Sequence, residues 1–494
     1  MTAWRVVRYW LYIGHRWLGI CACLLFALWF VSGLVMSYVG YPEAQPARRY
    51  QSLQPLDWSQ ARLDPDGLLS YLGLQRFPRE LRLEMLLGEP VYRVIDWDGA
   101  RSTVSARSGE RFGGVDPQQA VTIAQTYANA QGSSQATIQR DQWTVPERFR
   151  ALRPLHRIAM DDAAATEVYV SARTGEVVLS TTRTQRVWNW LGAVIHWTYF
   201  TPLRANAPLW RQVILWTSGP AILVAVSGLW IGILQLRLQR RRAHDRLSPY
   251  HGWKSWHHWT GIVGGMFLLS WIFSGWLSVN PNGWLSGSSP DVDALLRYAG
   301  NDRAEIAVDF ARLARESART VRFFRVDGVP IAAVVGADGA ERLLDARSGE
   351  RIVFDEQRLV QAARRLMPDR QMIGHERIEQ YDSYWYAHHD HPPLPVLRVA
   401  FDDPQHTWFY IDPSTGLVLD LLDDGGRSYR WWFNALHRLD FSWLAGNRVL
   451  WHTTIWLLCL AGLTISASGT VIGWRRLRRK RHAAASSAHG TRMS

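Results

Sequence analysis

The chain predicts an α+β membrane protein: a bundle of four transmembrane helices, built as a parallel internal repeat, with two α+β domains outside the bilayer. Three observations predict it. Four apolar runs are long enough to cross a bilayer, basic residues gather at one side of them, and short motifs recur at a nearly constant offset.

A span needs about 20 apolar residues. The runs 9–39, 209–236, 252–279 and 449–474 qualify, and soluble stretches between them bring the mean hydropathy down to −0.15. Arg5 and Arg8 precede the first run. Arg237, Arg240, Arg241, Arg242, Arg246 and Lys254 fill the short loop between the second and third. Arg475, Arg476, Arg478, Arg479, Lys480 and Arg481 follow the fourth. Positive charge stays in the cytoplasm, so both termini and the middle loop are expected there and the two long segments outside, which in a bacterium is the periplasm. The layout is then 1–40 (N-terminus and first span), 41–186 (first outer domain), 187–236 (interfacial segment and second span), 237–251 (basic loop), 252–280 (third span), 281–428 (second outer domain), 429–474 (interfacial segment and fourth span) and 475–494 (basic tail). The first run is too long for a cleaved leader and reads as a signal anchor. Many of the 27 tryptophans, among them Trp4, Trp10, Trp188, Trp190, Trp431, Trp432 and Trp474, sit near the ends of the runs, as an aromatic belt in contact with lipid requires.

The net charge of +13 belongs to helix ends rather than to one face of a soluble domain, which argues against nucleic acid as a partner. The three cysteines, Cys21, Cys23 and Cys459, all lie in apolar runs, so no disulfide framework is expected, and without a Cys-x-x-Cys-His motif any haem would be held non-covalently.

The repeat is read from matched residues. His15-Arg16-Trp17-Leu18-Gly19-Ile20 matches His257-His258-Trp259-Thr260-Gly261-Ile262 at an offset of 242. At the same offset Ser32-Gly33 matches Ser274-Gly275. Ala106-Arg107-Ser108-Gly109-Glu110-Arg111 returns from Ala346 to Arg351, His196 matches His437, and Ser227-Gly228 matches Ser468-Gly469. Both halves start in the cytoplasm, so their pseudo-two-fold axis would lie along the membrane normal, and equivalent residues could face each other across it. In the outer segments, alternating strands at 91–95 and 167–171 precede Gly turns, and helical patterns occupy 117–130 and 356–366.

Histidines gather at two depths. His15 and His257, with His258 as an alternative, lie near the cytoplasmic ends of their spans. His196, His437 and His452 lie near the outer ends of the second and fourth spans. Ionisable groups in a membrane suggest a functional site, and two neutral imidazoles on opposed helices suit a six-coordinate haem iron. Three outer histidines compete for two positions. Gly19 and Gly261, one turn from His15 and His257, share their faces. Gly33, Gly228, Gly275 and Gly469 fall level with the opposite histidine layer and would leave room for a porphyrin. The bland alternatives are interfacial polar residues and plain helix packing. The run His388, His389, Asp390 and His391 is a weaker metal candidate, since a Pro-rich loop follows it. No nucleotide fingerprint or nucleophile elbow is found, and no catalytic residue is assigned.

These residues carry a resemblance. His15–Gly19, Ser32-Gly33, Arg173-Thr174-Gly175-Glu176, the segment 191–196, Ser227-Gly228, His257–Gly261, Leu394–Val399, Ser414-Thr415-Gly416 and Ala435-Leu436-His437 resemble, in this order, the PepSY-associated transmembrane family of bacterial inner-membrane proteins. The resemblance covers nearly all of the chain except the basic tail. It implies PepSY-like outer domains, and for some members iron regulation and two b-type haems that serve ferric-siderophore reduction at the periplasmic face. The inner ligands would be His15 and His257, and the outer ones would come from His196, His437 and His452. The electron donor, a cytoplasmic-side protein or quinol, is not identified. Two other functions are kept: a non-enzymatic PepSY protein that binds peptides or regulates proteases, and a siderophore or iron transporter. Apart from Pro220, the spans lack the broken helices of secondary transporters.

Overall fold

The computed structural model describes residues 3–44, 46–241, 248–336, 339–387 and 391–490. Arg242 and Arg246 of the basic loop lie outside them. The chain forms two compact units, one from residues 1–41, 187–286 and 428–494, the other from 42–186 and 287–427.

The first unit holds the apolar runs as four helices long and apolar enough to cross a membrane: Ala3–Met36, Ala207–Arg241, Trp253–Leu277 and Arg448–Gly490. Neighbours are the first and second, second and third, third and fourth, and fourth and first, so the first and third spans face each other diagonally. Their inward residues include Phe26, Phe30, Val224, Leu268, Ile272 and Ile465. Large apolar side chains such as Leu223, Trp216, Val263 and Leu457 stay exposed, as helices surrounded by lipid require. Pro220 is accommodated within the unbroken second span.

The second unit holds fourteen strands. The first segment supplies β1 (Glu80–Leu86), β2 (Glu89–Ile95), β3 (Arg101–Ser105), β4 (Gly132–Ile138), β5 (Leu155–Met160), β6 (Glu167–Ser171) and β7 (Val177–Thr181). The second supplies β8 (Thr320–Val326), β9 (Val329–Val335), β10 (Glu341–Asp345), β11 (Met372–Ile378), β12 (Val396–Phe401), β13 (Trp408–Ile411) and β14 (Val418–Leu422). β1 to β4 recur as β8 to β11 at an offset of 240, and β5 and β7 as β12 and β14 at 241.

Each segment forms its own four-stranded antiparallel sheet, β4-β5-β6-β7 and β11-β12-β13-β14. The remaining strands join into one six-stranded sheet, β10-β9-β8-β1-β2-β3, through antiparallel pairing of β1 with β8. The two outer segments are therefore fused along a strand edge, which covers what would otherwise be two open edges. Leu81 and Leu83 of β1 share a core with Val321 and Phe323 of β8, Leu68 and Leu69.

Local chemistry explains the elements. The helix expected over 117–130 spans Pro117–Ala128. Asp116 caps it through the Gln119 amide, the Gln119 side chain returns the bond, and Asn129 ends it in the left-handed region. The turn before β7 needs glycine: Gly175 has φ +68°, and a Cβ there would stand 3.1 Å from a Leu86 methyl.

One face of the joined sheet carries buried charge. Glu84, 2 % exposed, takes ion pairs of 2.9 Å from each of Arg49, Arg82 and Arg93. Burial alone would raise the Glu84 carboxyl, but these three cations hold it well below the usual range. For Glu176 burial also raises the value, and Arg93, Arg49 and Arg82 outweigh it to hold it at about 2. A carboxylate with a depressed folded value adds stability above its unfolded value, near 4.5, and loses it as pH falls towards the folded value. The denaturation midpoint of this unit is expected to be flat from pH 7 to about 5 and then to drop towards pH 2, with Glu176 alone accounting for about 3 kcal/mol. A midpoint unchanged between pH 5 and pH 3 would contradict the network.

Candidate functional site

Four histidines in the membrane-helix unit share one local geometry. His15 places Nδ1 3.1 Å from the Val224 carbonyl and 3.3 Å from Ser227 Oγ on the second span. His257 places Nδ1 3.1 Å from the Ile465 carbonyl and 3.1 Å from Ser468 Oγ on the fourth. His196 reaches the Trp29 carbonyl and Ser32 Oγ on the first span, each at 3.2 Å. His437 reaches the Trp271 carbonyl and Ser274 Oγ on the third, each at 3.1 Å. In every case the acceptors are a carbonyl and the serine three residues later, and a glycine follows the serine.

A carbonyl only accepts, so Nδ1 carries the proton and Nε2 keeps its lone pair. The serine hydroxyls donate back into their own helices, for example Ser468 to the Thr464 carbonyl at 2.7 Å, which leaves their oxygens to face the imidazoles. The glycines let each ring lie against the helix backbone. A Cβ would stand 2.7 Å from His15 Cε1 at Gly228, 3.1 Å from His196 Cε1 at Gly33, 3.1 Å from His437 Cε1 at Gly275 and 3.3 Å from His257 Cε1 at Gly469. The sequence assigned these four glycines to a porphyrin face; in the structure they meet the imidazoles instead. Gly261 has open space beside it, and Gly19 touches only Val224, at 3.9 Å.

The histidines meet in two pairs. His15 and His257 have ring centres 6.3 Å apart with planes at 44°. His196 and His437 have ring centres 6.0 Å apart at 58°. His15 and Ser32, the seat of His196, stand on the same helix 17 residues apart, about 25 Å along its axis. The pairs therefore lie at two depths.

Short irregular helices bring in the outer pair. After the helix Arg183–Leu191, Gly192 bends the chain into Ala193–His196; a Cβ on Gly192 would stand 3.0 Å from a Val35 methyl. On the other side a π-helical stretch, Arg430–Ala435, leads into Leu436–Arg438, and Phe433 stacks on His437 at 5.2 Å. Two tryptophans not singled out by sequence pin these segments to the following spans: Trp210 Nε1 donates to the Trp197 carbonyl at 2.9 Å and Trp451 Nε1 to the Arg438 carbonyl at 3.2 Å. Their shared offset of 241 residues was the available signal.

The other candidates stand apart. His452 stacks on Tyr38 at 5.2 Å, and its buried Nδ1 has no hydrogen-bond partner among the described residues. His258 has both nitrogens engaged, Nδ1 with Ser248 Oγ at 2.9 Å and Nε2 with the Gly232 carbonyl at 3.2 Å. His388 and His389 lie outside the described residues, and His391 is exposed. Among the described residues no group of three or more His, Cys, Asp or Glu is arranged to hold a metal ion.

A family model described as PepSY-associated TM region matches residues 12–305. The chain belongs to this family. With four apolar helices, it is a multi-pass membrane protein. The PepSY-associated TM match takes in His15, His196, Ser227, Gly228 and His257; His437 and Ser468 lie beyond it. No curated protein matches the sequence.

Proposed function

We propose that this protein is a di-haem b-type electron-transfer protein of the bacterial inner membrane that reduces ferric siderophore in the periplasm to release ferrous iron. The observation that carries the reading is the separation within the two imidazole pairs. A metal–imidazole bond is about 2.0 Å long and the ring centre lies ~1.1 Å beyond the nitrogen, so two imidazoles on opposite sides of one ion have centres about 6.2 Å apart. The pairs stand at 6.3 and 6.0 Å. Each of the four rings also has Nδ1 bonded to a carbonyl, the arrangement that directs the Nε2 lone pair to a metal. His15 and His257 would hold the inner haem, and His196 and His437 the outer one.

When bound, haem supplies one-electron exchange between ferric and ferrous iron. The chain's own residues set ring orientation through the serine–carbonyl seats, keep the imidazoles neutral by burial, and close the bundle around them with Phe26, Phe30 and Ile272. The overall reaction takes one electron from a cytoplasmic-side donor or quinol and gives it to the ferric ion of the siderophore. Ferrous iron is held less tightly by hard oxygen ligands, so reduction frees it. The reading includes a duplicated architecture with both termini cytoplasmic and both outer segments periplasmic. The recurrence of strand lengths at 240 and 241 and the matched histidine seats support it.

The test is a reduced-minus-oxidised spectrum of the purified protein, followed by addition of a ferric siderophore to the reduced form. Two b-type haems per chain, reoxidation and appearance of ferrous iron are expected. A spectrum without a b-type band would overturn the reading in favour of a non-enzymatic, peptide-binding PepSY protein.

A further inference from the structure

A cavity of about 530 Å³ opens on the charged face of the six-stranded sheet, a size typical of small-molecule sites. Arg322, Arg82 and Arg93 sit directly opposite one another on β8, β1 and β2, a row of three like charges across adjacent strands. Like charges in that register are destabilising. Glu80, Glu84, Glu176 and Glu341 offset them, but Arg101 also stands 3.6 Å from Glu176. Arg79 and Arg148 are exposed on the cavity wall, and neither has an acidic partner among the described residues. The balance at the cavity is positive.

The fold does not require this charge. At the equivalent offsets the second segment has Phe324 for Glu84, Ala333 for Arg93 and Leu417 for Glu176. The same strand positions are thus built from apolar residues in one half and from a buried ion network in the other. A buried network gives little or no net stability over apolar packing, so its presence calls for another reason. Phe324 and Leu417 also line the cavity, opposite the arginines, and give it an apolar wall.

We propose that this cavity binds a small organic polyanion, of the class of polycarboxylate chelators, with its carboxylates on the guanidinium groups and its carbon skeleton against the apolar wall. Planar guanidinium forks match carboxylates two bonds at a time. The inference does not rest on the electron-transfer reading, since the iron-free anion is the probe.

Equilibrium dialysis of the full-length protein in detergent with labelled citrate tests it, with inorganic phosphate and an acidic peptide as comparators. Saturable binding of one citrate per chain is expected. The double variant Arg79→Ala/Arg148→Ala should weaken it at least tenfold with an unchanged melting temperature, and Arg150→Ala, whose side chain pairs with Glu147 outside the cavity wall, should leave it as in the wild type. Absence of saturable citrate binding, equal binding by the double variant, or phosphate or peptide binding as tightly as citrate would each overturn the proposal. Haem content, measured on the same samples, reports separately on the electron-transfer reading.

Discussion

Purified His15→Ala protein is expected to hold about one haem per chain where the wild type holds two, and His196→Ala to lose the other. The reason lies in the pairing. His15 faces His257 and His196 faces His437, with ring centres 6.3 and 6.0 Å apart, so each pair acts as one unit. Groups that act as a unit are non-additive. His15→Ala/His257→Ala should therefore be no worse than either single variant, whereas His15→Ala/His196→Ala should hold no haem. Gly228→Val removes no ligand, yet its Cβ would stand 2.7 Å from His15 Cε1. It should displace that imidazole and reproduce the His15→Ala spectrum. Haem stoichiometry by pyridine haemochromogen assay, beside the difference spectrum, reads all of these. Loss shared equally between both haems in each single variant would refute the assignment of pairs to two depths.

Glu84→Ala is expected to destabilise the extramembrane unit by about 3–5 kcal/mol, the usual result of removing one partner from a buried ion pair. Glu84 is 2 % exposed and pairs with Arg49, Arg82 and Arg93, all at 2.9 Å. Its loss leaves three guanidinium groups facing Glu176 and Glu80, and an unpaired buried cation costs far more than a pair contributes. The control is Glu147→Ala, which breaks a pair whose members are 79 % and 68 % exposed. Screened by water, that change should cost less than about 1 kcal/mol. Denaturant midpoints followed by limited proteolysis of the full-length protein compare the two. Equal midpoints would mean that the arginines find other partners, and the account of the charged sheet face would fail.

Length and hydropathy determined the four spans. The runs 9–39, 209–236, 252–279 and 449–474 became Ala3–Met36, Ala207–Arg241, Trp253–Leu277 and Arg448–Gly490, because a helix in lipid satisfies its own backbone and needs only apolar length. The strand 167–171 and the helix near 117–130 were equally legible, because alternation, Asp116 and Pro117 act within a few residues of themselves. Matched motifs named every histidine and glycine that the structure brings together, and the Ser-Gly pairs beside them.

Tertiary structure alone decided how they combine. Sequence offered His196, His437 and His452 for two positions; the bend at Gly192 and the π-helical stretch before His437 bring the first two together and leave His452 on Tyr38. It gave His258 the same standing as His257, until Ser248 and the Gly232 carbonyl took both its nitrogens. The carbonyls that fix the tautomers, such as Val224 and Ile465, belong to every residue type and leave no mark in a sequence. The fusion of β1 with β8, and with it the row of Arg322, Arg82 and Arg93, joins residues about 240 apart in the chain. A period or a cap is written in near neighbours, whereas the partner of a strand edge or of an imidazole is set by which surfaces pack together after those elements have formed.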